Sequence, residues 1–136
     1  MTVTNSERVA SLVATGAVDL GFVEGPEAPE ELQHQLVSVD ELVVVVGASH
    51  PWAQRSGRRV SARTLAGTPM VAREAGSGNR TVLERALAGL PRVPLALELS
   101  STAAVRSAVA AGAGPAALSM QPCATTSPPA AWSRSP

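Results

Sequence analysis

Tyrosine is absent from this sequence, and its aromatic residues amount to two tryptophans and one phenylalanine. Base stacking along a strand, or a cage around a flat or quaternary ligand, needs more rings than that, so both classes are excluded. Cysteine is almost missing too. Cys123 alone cannot form an internal disulfide, and with two histidines it cannot supply the ligands of a zinc site at any useful spacing. It reads as an unpaired thiol in a reducing compartment. No run approaches the ~20 apolar residues of a membrane span, and the opening MTVTNSERVASLVATG lacks a basic segment followed by an apolar one. The expectation is therefore a cytoplasmic chain with no membrane partner. Net charge is also lacking. The 11 basic residues balance 11 acidic ones, which leaves no field to hold DNA, so no direct DNA binding by this chain is expected. No nucleophile elbow, no phosphate loop with lysine and no metal-ligand set occurs, so no catalytic residue, metal or cofactor is expected and the chain does not read as an enzyme.

What is present is a core. Hydrophobic residues make up 45% of the 136 and charged residues 16%, a balance that separates globular chains from disordered polyelectrolytes. Asn5 or Ser6 can cap a helix whose Val9, Leu12 and Val13 share a face and which Gly16 ends. VDLGFV at 18–23 is short, apolar and bounded by glycines, as expected of a buried strand in a parallel sheet. Residues 34–39 offer another strand. ELVVVVG at 41–47 is the strongest, a β-branched run that should lie deep in a sheet until His50-Pro51 stops it. A short helix at 61–66 leads to a strand at 69–73. A Gly-Ser-Gly loop then opens a helix carrying Val82, Leu83, Ala86, Leu87 and Leu90. A strand at 94–99 runs into Ser100-Ser101, a further helix is closed by Gly112 and Gly114, and PAALSM reads as the last strand. This alternation predicts an α/β fold with a mostly parallel sheet.

After Met120 the chain is rich in proline, serine and threonine and has no period, so residues 120–136 are expected to lack regular structure. A shifted reading frame is one explanation. Read out of register from the Ala124 codon, the tail can encode Asp-Asp-Leu-Ala-Ala-Gly-Gly and then Leu-Val, a helix end with a glycine stop leading into a strand.

The candidate site lies where helices start. Gly76, Ser77, Gly78 and Asn79 precede a helix whose first N–H groups and partial positive charge suit a carboxylate or another anion, with Thr81 one turn along. Capping by Ser77 or Asn79 is the competing explanation. Ser100 and Ser101, with Thr102, form a second strand-to-helix junction that could face the same gap or simply cap. Glu24, before Gly25, ends a run where open α/β sheets bind ligands, or else solvates a loop. Asp19 reads as a turn former, and His34 and His50 as surface or packing residues.

The blocks GAVDLGFVEGP at 16–26, DELVVVVGASHPWA at 40–53, VAREAGSGNRTVLERAL at 71–87 and LELSSTAAVRSAVAAGAGPAALS at 97–119, in this order, resemble the effector-binding domain of LysR-type transcriptional regulators. The resemblance covers residues 3 to about 119. It implies a two-lobed, periplasmic-binding-protein-like (type II) fold that binds a small, anionic metabolite in an interlobe cleft, in proteins whose lobes often associate as homodimers. By analogy, residues 1–38 are an incomplete first lobe, 39–119 a nearly complete second lobe with the crossing strands, and 120–136 the aberrant tail. The family's helix-turn-helix, linker helix and first strand and helix of lobe one have no counterpart in this sequence. Trp52 stands where the family more often has a smaller apolar residue. The alternatives are a solute-binding protein of a transport system, a dehydratase-like enzyme of related fold, and a non-functional truncated gene product.

Overall fold

The computed structural model describes residues 1–25, 29–54 and 59–120, together with the backbone of 132–134. Asn5 is extended, and its side chain accepts a hydrogen bond from the Arg8 N–H, which starts helix α1, Ser6–Ala14. The helix ends at Thr15, and Gly16 (φ 70°) takes the left-handed conformation that turns the chain back. Ala17 and Val18 then donate to the Leu12 carbonyl.

The run 18–23 does not become the expected strand. It lies extended along α1, close enough that Gly21 abuts Val9 and Val13. Leu20 and Phe22 are 75% and 73% exposed. The run at 34–39 behaves alike, with Leu36, Val37 and Val39 in solvent. Both segments have strand-forming side chains, but a strand also needs a neighbour for its N–H and C=O groups, and no described segment lies beside them to serve.

Strand β1, Leu42–Gly47, forms as expected. Helix α2, Ala62–Ala66, is capped by the Ser61 side chain, which accepts from Thr64 N–H, and β2 follows at Met70–Arg73. Next come α3 (Gly78–Ala86), β3 (Leu95–Leu99), α4 (Thr102–Ala110), β4 (Ala116–Ser119) and β5 (Trp132–Arg134). The sheet is not mostly parallel. Among the described residues only β2 and β3 pair in parallel, whereas β1 runs antiparallel to β4 on one side and β5 on the other. The parallel expectation assumed that every β–α alternation is a crossover. Here the chain enters along β1 and returns along β4, with Val45 opposite Ala116 and Leu42 opposite Ser119. The Val71 N–H donates to the Pro115 carbonyl at 2.8 Å and joins the two sheets at a seam between β2 and β4.

Alternation along these strands feeds two cores. Val71, Ala116 and Leu118 pack with Val105 and Val109 of α4, flanked by Val45. Met70 packs with Leu65, Leu83 and Leu87, bordered by Leu42, Val44, Trp52 and Ala117. The sheet is thus a middle layer between α4 and the α2–α3 side. In β1 only Val46 and Gly47 are fully buried, shallower than its apolar sequence suggested. His50 sits in the turn after β1, edge-on to Trp52, and its Nδ1 accepts from the Trp52 N–H. Burial holds its imidazole pKa below the usual value.

Of the tail expected to lack regular structure, Trp132–Arg134 pair with Val45–Gly47. Residues 121–131, Cys123 among them, and 135–136 lie outside the described residues.

Candidate ligand site

The loop after β2 brings α1 and α3 together start to start. Arg73, at the end of β2, grips Glu74 with both arms: Nε donates to Oε2 at 2.8 Å and Nη2 to Oε1 at 3.0 Å. Its Nη1 reaches across to the Thr102 hydroxyl at 2.8 Å, tying the start of α4 to the same corner. The hydrogen bond from Arg73 holds the Glu74 carboxyl below its ordinary pKa, against a smaller opposing effect of burial. A carboxyl whose pKa is depressed on folding adds stability that is fully present above the ordinary value and is lost as pH falls through the lower folded value. Urea midpoints measured from neutral pH downward should therefore decline less steeply below the ordinary carboxylate range in Glu74→Gln than in wild type. Superimposable profiles would show that this pair does not contribute.

Gly76 follows with φ 82°, a conformation that a side chain resists, and a Cβ here would strike the Glu7 carboxylate. Its carbonyl accepts the Glu7 N–H at 3.1 Å, so the first turn of α1 docks on the loop that opens α3. Ser6 makes the second tie. Its hydroxyl donates to the Glu24 carbonyl at 3.0 Å and accepts from the Glu24 N–H at 3.1 Å. This fixes the backbone of residue 24 against Gly78, where a Cβ would overlap the Glu24 carbonyl.

Ser77 is the N-cap of α3, yet its side chain makes no capping bond, and it is 3% exposed. Asn79 is 6% exposed, and its side chain has no hydrogen-bond partner among the described residues. Nor does any described residue accept from the N–H groups of Gly78, Asn79 or Arg80. Capping, the competing explanation for Ser77 and Asn79, is not what these side chains do. Thr81 is committed locally, its hydroxyl and N–H both directed to the Ser77 carbonyl at 3.2 and 3.0 Å.

Two cavities open at this junction. One, of about 340 Å³, is bounded by Ser6, Glu7, Glu24, Gly76, Gly78 and Thr81 among others. The other, of about 550 Å³, lies between the extended residues 35–42 and the start of α3, with Glu24, Gly78, Asn79 and Ser119 in its wall. A third, of about 310 Å³, sits apart between α3 and β3, lined by Leu83, Leu87, Val93 and Leu95 together with Arg80, Glu84 and Arg92. The candidate residues Glu24, Gly76, Gly78, Asn79 and Thr81 therefore gather at one place. Ser77 is buried beside them. Ser100 and Ser101 do not line these cavities; both are exposed, and Ser101 caps α4 by accepting from Ala104 N–H at 3.1 Å. Arg80, which the sequence did not single out, is 6% exposed, and its guanidinium donates to Glu84, to Glu98 and to the Arg73 carbonyl. Ser6 and Glu7 were also missed as site residues, because an 18-residue separation from Glu24 leaves no local signal. Among the described residues, no cluster of His, Cys, Asp or Glu could hold a metal ion.

Comparison with known proteins gives this geometry a context. The LysR substrate binding domain family matches residues 1–125. An uncharacterized HTH-type transcriptional regulator of Mycobacterium tuberculosis is 53% identical over 124 residues, which are 88% of this chain and 39% of that protein. The regulator YeiE of Escherichia coli is 36% identical over 120 residues, 88% of this chain and 40% of YeiE. The chain thus spans about two fifths of the length of these relatives. Among solved structures, the CcmR regulatory domain of Synechocystis, in complex with 2-PG, superposes with a TM-score of 0.79 and 27% identity, over 98% of this chain and 64% of that domain. The effector binding domain of QuiR, in complex with shikimate, shares the fold at 17% identity with a TM-score of 0.72. By sequence and by its periplasmic-binding-protein-like architecture, the chain belongs to the LysR substrate binding domain family.

Proposed function

We propose that this chain is the effector-binding part of a LysR-type regulator, a cytoplasmic sensor that binds a small metabolite and does not turn it over. The observation that carries this reading is the buried and unpartnered polar group at the start of α3. Buried amides and hydroxyls are nearly always hydrogen-bonded, and one left free costs about 1–3 kcal/mol. Ser77, Asn79 and the first-turn N–H groups of α3 share this condition, with Gly78 and Asn79 at the wall of a cavity and Ser77 buried next to them in sequence. Together with the dipole of α3 they make a seat for a carboxylate or a similar anionic group. The CcmR domain, in complex with 2-PG, supports the same reading by its likeness. Closure on the ligand would bias an assembly on DNA, with the DNA contact made outside these residues.

A thermal-shift screen of the purified chain against small carboxylates and phosphate esters tests this. A ligand present at 100 times its Kd stabilises by roughly 2.7 kcal/mol, enough to move the midpoint clearly. Folded protein that responds to none would end the proposal. Asn79→Ala sharpens the test. It removes a buried group with nothing to bond, so stability should be unchanged or rise by up to about 1 kcal/mol, while the ligand-induced shift disappears. A loss of stability without ligand would mean that the amide serves the fold instead.

A non-functional product is favoured by one observation, the apolar side chains in solvent at Leu20, Phe22, Leu36, Val37 and Val39. The same surface supports a homodimer, and sizing over a concentration series separates a defined dimer from open-ended aggregation. The family match ends at residue 125, next to the Ala124 codon where a change of frame was placed. This supports the frameshift reading, which resequencing of the locus tests directly.

A further inference from the structure

We propose, resting on the effector-binding reading, that the ligand carries a cationic amine as well as its anionic group, so that its class is that of the α-amino acids and related zwitterions. The cavity of about 550 Å³ has three acidic residues in its lining, Glu24, Asp40 and Glu41, and no arginine or lysine among the described residues that line it. All 11 basic residues of the chain are arginines. Arg80, in the first turn of α3, is engaged by Glu84 and Glu98, and Arg73, before the loop that opens it, by Glu74. The adjoining cavity repeats the pattern, with Glu7 and Glu24 and no basic residue among the described residues that line it.

A simple anion entering here meets a favourable end at the α3 amides, and the only charged residues among the described lining, Glu24, Asp40 and Glu41, repel it. The helix start offers roughly half a unit of positive charge. Three exposed acids in the same lining oppose it, and a cationic group on the ligand would turn that opposition into attraction. Asp40 is partly engaged already, since it accepts from the Ser119 hydroxyl and the Glu41 N–H. Glu24 is different. Its backbone is clamped by Ser6 on both sides, and no described residue pairs with its carboxylate. A rigidly held, unpaired acid stands beside the buried, unpartnered Asn79, whose amide can donate to a carboxylate and accept from an ammonium. The two residues line the same cavity from α3 and from the run after residue 23. One bridging molecule with opposite charges at its ends satisfies both.

The test compares matched probes on the full chain by thermal shift and then calorimetry: the proteinogenic α-amino acids, the corresponding acids without the amine, and the corresponding amines without the acid. The expected result is that at least one amino acid stabilises the protein and that its two partial analogues do not. Glu24→Gln should weaken that amino acid by about tenfold or more, the scale of truncating one partner of a charge pair. Asn79→Ala should weaken it too, with circular dichroism confirming that both variants are folded. Stabilisation by plain acids equal to that by amino acids, or an unchanged affinity in Glu24→Gln, overturns the zwitterion assignment and leaves the effector-binding reading standing. Silence of every probe on folded protein overturns the zwitterion assignment, and the effector-binding reading falls with it only when the phosphate esters of the first screen are silent as well.

Discussion

Replacing Gly78 with valine is expected to destabilise the protein by about 3 kcal/mol and to abolish ligand binding, because the new side chain must occupy the place of a backbone carbonyl. The Cβ alone overlaps the Glu24 carbonyl carbon and oxygen. Those atoms cannot swing aside as the end of a side chain would. Residue 24 is held through its N–H and its C=O by the Ser6 hydroxyl at 3.1 and 3.0 Å. Relief requires breaking that clamp or pulling the first turn of α3 away from residues 23–25, and either movement opens the junction that forms the cavities. Urea denaturation measures the loss. A double-mutant cycle with Ser6→Ala identifies its origin, since releasing the clamp should make the second substitution cost less than it does alone. Full additivity, or a stable Gly78→Val, would mean that the two segments are not in contact in solution.

Met70→Ala is expected to cost about 2–5 kcal/mol, a large share of the total stability of a domain this size. Met70 is fully buried and meets Leu65, Leu83 and Leu87, side chains of α2, α3 and the residue after it. Alanine leaves a space that these elements, tied to the sheet, cannot close. The informative control is Leu36→Ala. Leucine 36 is 77% exposed, so its truncation should fall within about 0.5 kcal/mol of wild type. Equal effects at the two positions would show that residues 34–39 are packed against something and that the core extends beyond the two clusters.

The contrast between these residues also explains what could be read in the sequence. Elements whose pattern and caps are local were legible: Asn5 as a cap, the short helix at 61–66, the β-branched run of β1, the helix opened at Gly78, and the strand before Ser100. VDLGFV carries an equally strong strand pattern and failed, because pairing depends on a neighbour and its side chains say nothing about whether one is there. The direction of β4 was misjudged for a similar reason, since hydrophobic alternation is the same in parallel and antiparallel strands. At the site, glycine spacing pointed to the α3 start, and Glu24 was singled out by its position after an apolar run. The clamp from Ser6 and the buried guanidinium of Arg80 were not legible. They arise from tertiary contacts over 18 residues in both cases, with Glu24 and with Glu98 respectively.

The two passages between residues 39–42 and 119–120 run side by side as a bonded pair. Asp40 takes the Ser119 hydroxyl, and the Met120 N–H donates to the Glu41 carbonyl at 2.9 Å. Each stretch therefore satisfies polar groups of the other, so loosening either one would strip hydrogen bonds from both.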